Sequence, residues 1–431
     1  MIKRVVFLFC ACAFIFSLQS EAAAANYIEV TAAGNRLLKL AVVPPQPMGA
    51  IIRPDLANEI AEVQTFDLTM SGLVVAERRD AAPLINGLSL TPIDFVPWLS
   101  TGYDLLIRGE YELHGQELTL EFRLYDVLGK KLLTSKRFLG KEADLRRYAH
   151  SFSDEVLRAL TGDKGSYTSK ILYISTQPGN KELFLMDWDG HNPRQLTSNR
   201  SINLSPDISP DGREIIFTSY KRGNPDLYKR ALSSNVEVPL SSRRGLNITG
   251  AWSPDGTKIA LALSKDGNTE IYTIARDGSA PNRLTVSHAA NVSPAWTPDG
   301  NKIAFVSDRL GKPQVFIMDV HGGNVRRLIT TGSYNVNPAW SPKGDKLAYA
   351  RMAGGFQIFV ANADGSAEIQ LTFEGNNERP RWSPDGRLIT FSSRRDGQEA
   401  IYVMRADGSG QTKISRTKGS SQHPVWTPRT Q

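Results

Sequence analysis

Thiols are nearly missing from this 431-residue chain, whose only two cysteines are Cys10 and Cys12. Beyond that point no disulfide or zinc–thiolate site can brace the fold, so cohesion must come from packed cores. Long apolar runs are also scarce. The one exception, Val5–Leu18, is shorter than the ~20 residues that a membrane-spanning helix needs. Lys3 and Arg4 precede this run and Ala22–Ala25 follow it, the pattern of a secretory leader (residues 1–25) cleaved near Ala25. The alternative, a lipoprotein acylated at Cys10 or Cys12, fits less well, because Phe9 precedes Cys10 and Cys12 lies inside the run.

Enzyme signatures are missing too. The chain has no GxSxG elbow, HExxH, P-loop or GxGxxG between strand and helix. Its six histidines, His114, His150, His191, His288, His321 and His423, show no paired spacing suited to zinc. Removing the leader takes the formal charge only from +7 to +6, and no block of like charge forms a nucleic-acid stripe. The expectation is a protein with no cofactor, no metal, no nucleic-acid partner and no membrane span, acting as a monomer. Asp187-Trp188-Asp189-Gly190 has a faint likeness to a calcium loop, but the same slot later reads RDG, HGG or ADG, which marks a turn.

What is present divides in two. Residues 37–162 read as a small α+β domain. Leu37–Val43 is an apolar strand closed by Pro44-Pro45, and Pro54–Met70 carries Leu56, Ile60, Val63 and Phe66 at helical spacing. Tyr103–His114, Glu117–Val127 and Lys131–Phe138 read as strands joined by hairpins. Residues 142–160 read as an amphipathic helix, with Gly162 as its cap.

Residues 163–431 repeat. NVSPAWTPDG at 291–300 has near-copies ending at Gly212, Gly256, Gly344 and Gly386, and a last fragment, SQHPVWTP, ends at Pro428. The slot held by Ile208, Trp252, Trp296, Trp340, Trp382 and Trp426 recurs at intervals of 44, 44, 44, 42 and 44 residues. Each interval holds four short strand patterns, which is the signature of a propeller blade. Second strands begin at Lys170, Glu214, Lys258, Lys302, Lys346 and Leu388, so there are six blades. The first lacks an inner strand and the final fragment lacks a blade. The C-terminal strand must therefore complete the first blade and close the ring, leaving no open sheet edge there. The expected architecture is an all-β six-bladed propeller of four-stranded blades behind a small α+β domain.

Five positions before the tryptophan slot stand Asn203, Asn247, Asn291, Asn335 and Asn377, with Ser421 sixth. In a closed ring they gather at one mouth of the channel. They either bond backbone in the return loops, as asparagine does in turns, or offer hydrogen bonds to a partner. Around them the copies diverge at Leu204, Leu246, Thr249, Val292, Ser293, Val336, Asn337, Glu378, Arg379, Gln422 and His423, which are candidate recognition residues. A second candidate is the segment 26–36, beginning Asn26, Tyr27, Ile28, Glu29, Val30, Thr31. It reads as a strand for addition to a partner's sheet, or as a frayed terminus or an edge strand of its own domain.

Leader, α+β domain and six WSPDG-type blades in this order resemble the TolB family of the Tol–Pal envelope system. The stretch LRRYAHSFSDEVLRALTGDKGSYTSKILYIS (145–175) carries the resemblance most specifically, and VVPPQPMG (42–49) takes the place of the family's VVPF-type strand. The resemblance implies a periplasmic, non-enzymatic scaffold. Its propeller mouth would bind the lipoprotein Pal, by motif position through Leu204, Leu246, Thr249, Val292 and Ser293. Its N-terminal segment would bind TolA, linking Pal to the inner-membrane TolA/TolQ/TolR complex for outer-membrane invagination during division and for envelope integrity. Glu29 is the only acidic residue of that segment here, where better-known members are acidic. The rival reading, a propeller-containing hydrolase or peptidase, requires an α/β-hydrolase domain, and residues 26–162 contain no nucleophile elbow. A sugar or calcium ion in the channel is a third reading.

Overall fold

The computed structural model describes residues 36–80 and 93–429. Strand β1 (Leu38–Val42) starts the N-terminal domain, followed by β2 (Gln46–Pro47) and helix α1 (Pro54–Met70). Proline at the first helical position costs α1 nothing, since that N–H has no helical partner. Then come β3 (Val74–Arg78), the single turn α2 (Val96–Leu99), β4 (Leu105–His114), β5 (Glu117–Asp126), β6 (Lys131–Lys141) and α3 (Leu145–Thr161). Gly162 ends α3 in the left-handed conformation, its N–H bonded to the Arg158 carbonyl.

The sheet order is β3-β1-β4-β5-β6, with β1 parallel to both its neighbours and the hairpins antiparallel. Leu40, Val42, Ile107, Phe122 and Leu124 face α1 and α3, where Ile60, Phe152 and Val156 complete a core. Trp98, Tyr103, Leu106 and Tyr125 form a smaller core on the opposite face.

The rest is six sheets of four antiparallel strands. Blade 1 has the order 421–426, 170–175, 182–187, 194–195, so the C-terminal strand Ser421–Trp426 is its inner strand and closes the ring. The inner strands of blades 2 to 6 are Asn203–Ile208, Asn247–Trp252, Asn291–Trp296, Asn335–Trp340 and Asn377–Trp382. Outer strands are two residues long except Glu237–Ser241 in blade 2, which keeps exposed sheet edges short.

Two repeated devices set the blades. In Ser253–Gly256 the Gly256 N–H bonds the Ser253 carbonyl, while Ser253 Oγ donates to Asp255 at 2.5 Å and accepts the Lys258 N–H at 2.9 Å. The turn thus fixes its own entry into the second strand, and Thr297–Gly300 and Ser383–Gly386 repeat it. In the turn after the third strand, Gly190, Gly278, Gly322, Gly365 and Gly408 sit against a leucine or isoleucine carbonyl of the preceding blade. At Gly322 (φ +87°) a Cβ would lie 2.4 Å from the Leu284 carbonyl oxygen, so only glycine fits the contact.

Tryptophans of the repeat fill the gaps between blades. Trp296 Nε1 donates to the Ala251 carbonyl and Trp382 Nε1 to the Ala339 carbonyl, both at 3.1 Å. Five of the interblade cores are separate clusters. At the sixth, between blades 6 and 1, Ile401, Val403, Ile171 and Trp426 join the core of the N-terminal domain. The seam where the ring closes is therefore the seam the small domain covers. Among the described residues no helix is long and apolar enough to cross a membrane.

Candidate functional site

Among the described residues the small domain leaves one rim of the propeller free. Its contacts fall on the rim carrying the Ser-Pro-Asp-Gly turns: Arg146 pairs with Asp189 and Arg405 donates to the Thr69 carbonyl, while Ser166 Oγ of the connecting segment accepts the Asp385 N–H. Trp188, from the Asp187–Gly190 turn, stacks on Phe66 at 5.1 Å and Trp426 at 6.3 Å and meets Tyr167 at 5.0 Å in a tilted contact. A buried polar cluster lies beside it. Asp67 accepts from His150 Nδ1 at 2.9 Å and from Trp188 Nε1 at 3.1 Å. His150, Asp187 and Asp189 converge as a metal site would require. Each carboxylate nevertheless has a cation of its own, Lys170 for Asp187 and Arg146 for Asp189. The turn expected at this slot is thus the docking point of the two domains.

The opposite rim holds the inner-strand starts and the return loops. Asn203, Asn247, Asn291, Asn335 and Asn377 are fully buried there, and Ser421 nearly so. Asn291 Nδ2 donates to Glu270 at 2.6 Å and Ser287 Oγ at 2.8 Å; Asn335 Nδ2 donates to Gln314 and the Thr331 carbonyl. Asn203 uses Glu182 and the Lys181 carbonyl, Asn377 uses Gln357 and the Glu374 carbonyl, and Asn247 bonds the Arg243 and Gly245 carbonyls. Asn247, Asn291, Asn335 and Asn377 thus each bond a carbonyl of their return loop, whereas Asn203 bonds the loop before the third strand of blade 1. As residues presenting hydrogen bonds at the mouth, all five require correction: their amides are spent inside the wall, where an unpaired buried amide would be costly. What they do is fix the residues that follow.

Those residues adopt an unusual backbone. Ser205, Thr249, Ser293, Asn337, Arg379 and His423, each two positions after the asparagine slot, all have φ between 48° and 57°. Every inner strand has a register shift at this point, a bulge that re-aims the chain toward the channel. Six non-glycine residues in the left-handed region form a ring of stored strain, the kind that clusters at ligand-contacting positions. Neighbours in the ring are linked: the Ser205 N–H bonds His423 Nδ1 at 3.0 Å and the Ser293 N–H bonds Thr249 Oγ1 at 3.2 Å. Burial and the positive charge of Arg379, Lys181 and Arg381 push the His423 pKa well below its ordinary value, so the ring is neutral there.

The other candidates take distinct places. Leu204, Val292, Val336 and Glu378 are half-buried and Gln422 is buried, each one step after the asparagine slot. Leu246 precedes Asn247, in the return loop, and its N–H is held by Ser264 Oγ; Ile248 occupies the position equivalent to Val292. Below the ring a cavity of about 240 Å³ is lined by the bulge residues of blades 2 to 6 and by Asp207, Ala251, Ala295, Ala339 and Arg381. Ser205, Ile248, Asp207 and Arg381 escaped the sequence reading. The signal for the first two was the fixed offset from the asparagine: Ser205 was obscured by the worn second-blade copy, and Ile248 was passed over for Leu246 in the third. The candidates 26–31 (Asn26 to Thr31) lie outside the described residues.

Comparison with known proteins agrees with this architecture. Residues 157–430 match the model of the TolB beta propeller domain, and residues 26–133 that of the TolB amino-terminal domain. The Tol-Pal system protein TolB of Geobacter sulfurreducens is 64% identical over 403 residues, covering 94% of this chain and 93% of that protein. That of Geobacter metallireducens is 62% identical over 404 residues, covering 94% of each. The crystal structure of TolB from Acinetobacter baumannii superimposes with a TM-score of 0.80 at 25% identity, covering 92% of this chain and 98% of that one. With both of its domains matched and such relatives aligned along nearly their whole length, the chain belongs to the TolB family.

Proposed function

We propose that this protein is a non-enzymatic periplasmic scaffold of a Tol–Pal system, exported by a leader cleaved near Ala25. Its free rim captures the lipoprotein Pal, and its segment 26–36 engages TolA. The outer-membrane lipoprotein is thereby linked to the inner-membrane TolA/TolQ/TolR complex during envelope invagination and in maintaining the outer membrane. The observation that carries this reading is the ring of six left-handed residues on the rim that the N-terminal domain leaves uncovered. A ring of this kind offers short polar groups and half-buried apolar ones, Leu204, Ile248, Val292 and Val336, on a rigid scaffold. Such a surface suits a folded partner better than a small substrate.

The test is capture from envelope extract by the wild type, a Val292→Arg/Ser293→Arg double variant and a chain lacking 26–36. Pal should be lost from the double variant alone and TolA from the truncation alone. Undiminished Pal capture by the double variant would remove the rim from the account.

A further inference from the structure

The channel beneath the mouth is electrically lopsided. In blades 3, 4 and 5 its wall is Thr249 and Ala251, Ser293 and Ala295, Asn337 and Ala339. Blade 6 instead places Arg379 and Arg381 at the same two levels, and across the seam blade 2 contributes Asp207. Asp207 is already engaged, accepting the Trp252 N–H at 2.8 Å, and no ion pair joins it to either arginine among the described residues. Arg381 has one side-chain hydrogen bond, to the adjacent Pro380 carbonyl, and Arg379 has none among the described residues. Burial lowers the Arg379 pKa, with Arg381 adding to the effect, but only to about 10. Both guanidiniums are therefore charged at neutral pH. His423, beside them, is neutral. Two cations and one carboxylate thus share this wall; Glu378 and Glu399 also act on Arg379, but among the described residues no carboxylate is within ion-pair distance of either half-buried guanidinium. Desolvating an unpaired guanidinium is costly, and proteins seldom leave one so. Beside them, on the neighbouring blade 5, Asn337 has a buried side-chain oxygen without a partner, and among the described residues its amide donates no hydrogen bond.

We infer that the propeller channel is a binding site for an oxyanion, a carboxylate or phosphate held by the Arg379 and Arg381 guanidiniums with the Asn337 amide as a neutral donor from the neighbouring blade 5. The planar guanidinium fork matches such groups bidentately. A cavity of about 240 Å³ has room for one together with water, at ~30 Å³ per water molecule. The anion arrives either as a free ion or as a carboxylate side chain of the protein seated on the mouth. The second source rests on the proposed Pal capture; the site itself does not.

The test uses the mature full-length chain, residues 26–431, titrated with potassium phosphate and potassium acetate at pH 7.5. Potassium chloride at equal ionic strength is the control, and binding is read by calorimetry and by thermal protection. Phosphate and acetate should raise the melting temperature where chloride does not. Arg379→Gln/Arg381→Gln should weaken the protection roughly ten-fold or more, the loss of charge-assisted hydrogen bonds. Asp207→Asn, which removes the competing carboxylate but retains an acceptor for Trp252, should tighten it several-fold. Absence of protection beyond chloride overturns the proposal, as does equal protection of the double variant. Should that variant not fold, unchanged affinity in Asp207→Asn overturns it. Competition between phosphate and purified Pal identifies the partner's carboxylate as the occupant, and independent binding identifies a free ion. Because the titration needs no partner, its failure would leave Pal capture standing, and loss of Pal capture would leave the titration standing.

Discussion

Replacing His150 by alanine should uncouple the two domains, and the cost can be estimated from the cluster it occupies. Asp67 has no exposed surface, and its carboxylate is held by His150 Nδ1 at 2.9 and 3.0 Å and by Trp188 Nε1 at 3.1 Å. Without the imidazole, a buried carboxylate keeps one neutral donor. Breaking a buried pair from one side costs about 3–5 kcal/mol. Asp67→Asn removes the charge but keeps an acceptor for both rings, so its cost should be nearer 1–2 kcal/mol. The pH dependence has a definite sign. Burial works to neutralise His150, but Asp67 and then Asp189 outweigh it and raise its pKa. Its contribution is therefore full below the unfolded value of about 6.5 and is lost as pH rises through the folded one. Burial also raises the Asp67 pKa, so this group too disfavours the folded state as pH rises. Urea unfolding of the wild type and both variants, followed by tryptophan fluorescence at pH 6 and pH 9, measures each step. A loss below about 1 kcal/mol in His150→Ala, or a domain contact that strengthens at pH 9, would refute the assignment of a charged imidazole to the interface.

Two further outcomes follow from the same geometry. Gly322→Ala should destabilise the propeller by about 2 kcal/mol or more, because φ is +87° and a Cβ meets the Leu284 carbonyl of the preceding blade; equilibrium unfolding checks it, against Gly311→Ala, where φ is also positive but the space is open. Asp207→Asn should stabilise the protein at pH 7: burial raises the Asp207 pKa to about 6, so ionisation penalises the folded state increasingly from about pH 4 upward. The gain should be about 1–3 kcal/mol above pH 6 and vanish near pH 4, as read from paired melting curves.

The propeller was legible in the sequence because its physics is local. Each second strand starts at the residue the repeat implies, from Lys170 to Leu388, since turn and alternation recur with the blade. The C-terminal strand pairs with 170–175 because a ring with one strand missing has only one place for it. In the small domain, α1 spans Pro54–Met70 as its spacing implies, but β3 (Val74–Arg78) went unread. Five residues that pair in parallel with β1 leave no turn signal, and their partner is remote in sequence. The mouth was legible by position and not by direction. Asparagine at a fixed offset located the rim, yet whether its amide points outward or inward depends on the bulge and on Glu182, Glu270, Gln314 and Gln357 one blade back. Leu246 lies two residues before Ile248, the equivalent of Val292, in a loop before Asn247 that has its own hydrogen-bonding pattern. Asp207 and Arg381 lie two residues deeper in the wall, where charge shows itself only once the ring is closed.

The central claim is that the free rim, and not the turn rim, holds the partner. Since no cysteine follows Cys12, a single introduced thiol in the mature chain can be labelled cleanly with a short photoreactive group. Ser293→Cys places the label on the bulge ring and Asn301→Cys on the exposed turn rim of the same blade. Irradiation in envelope extract should join Pal to the Ser293→Cys protein and not to the Asn301→Cys protein. The reverse pattern would contradict the account.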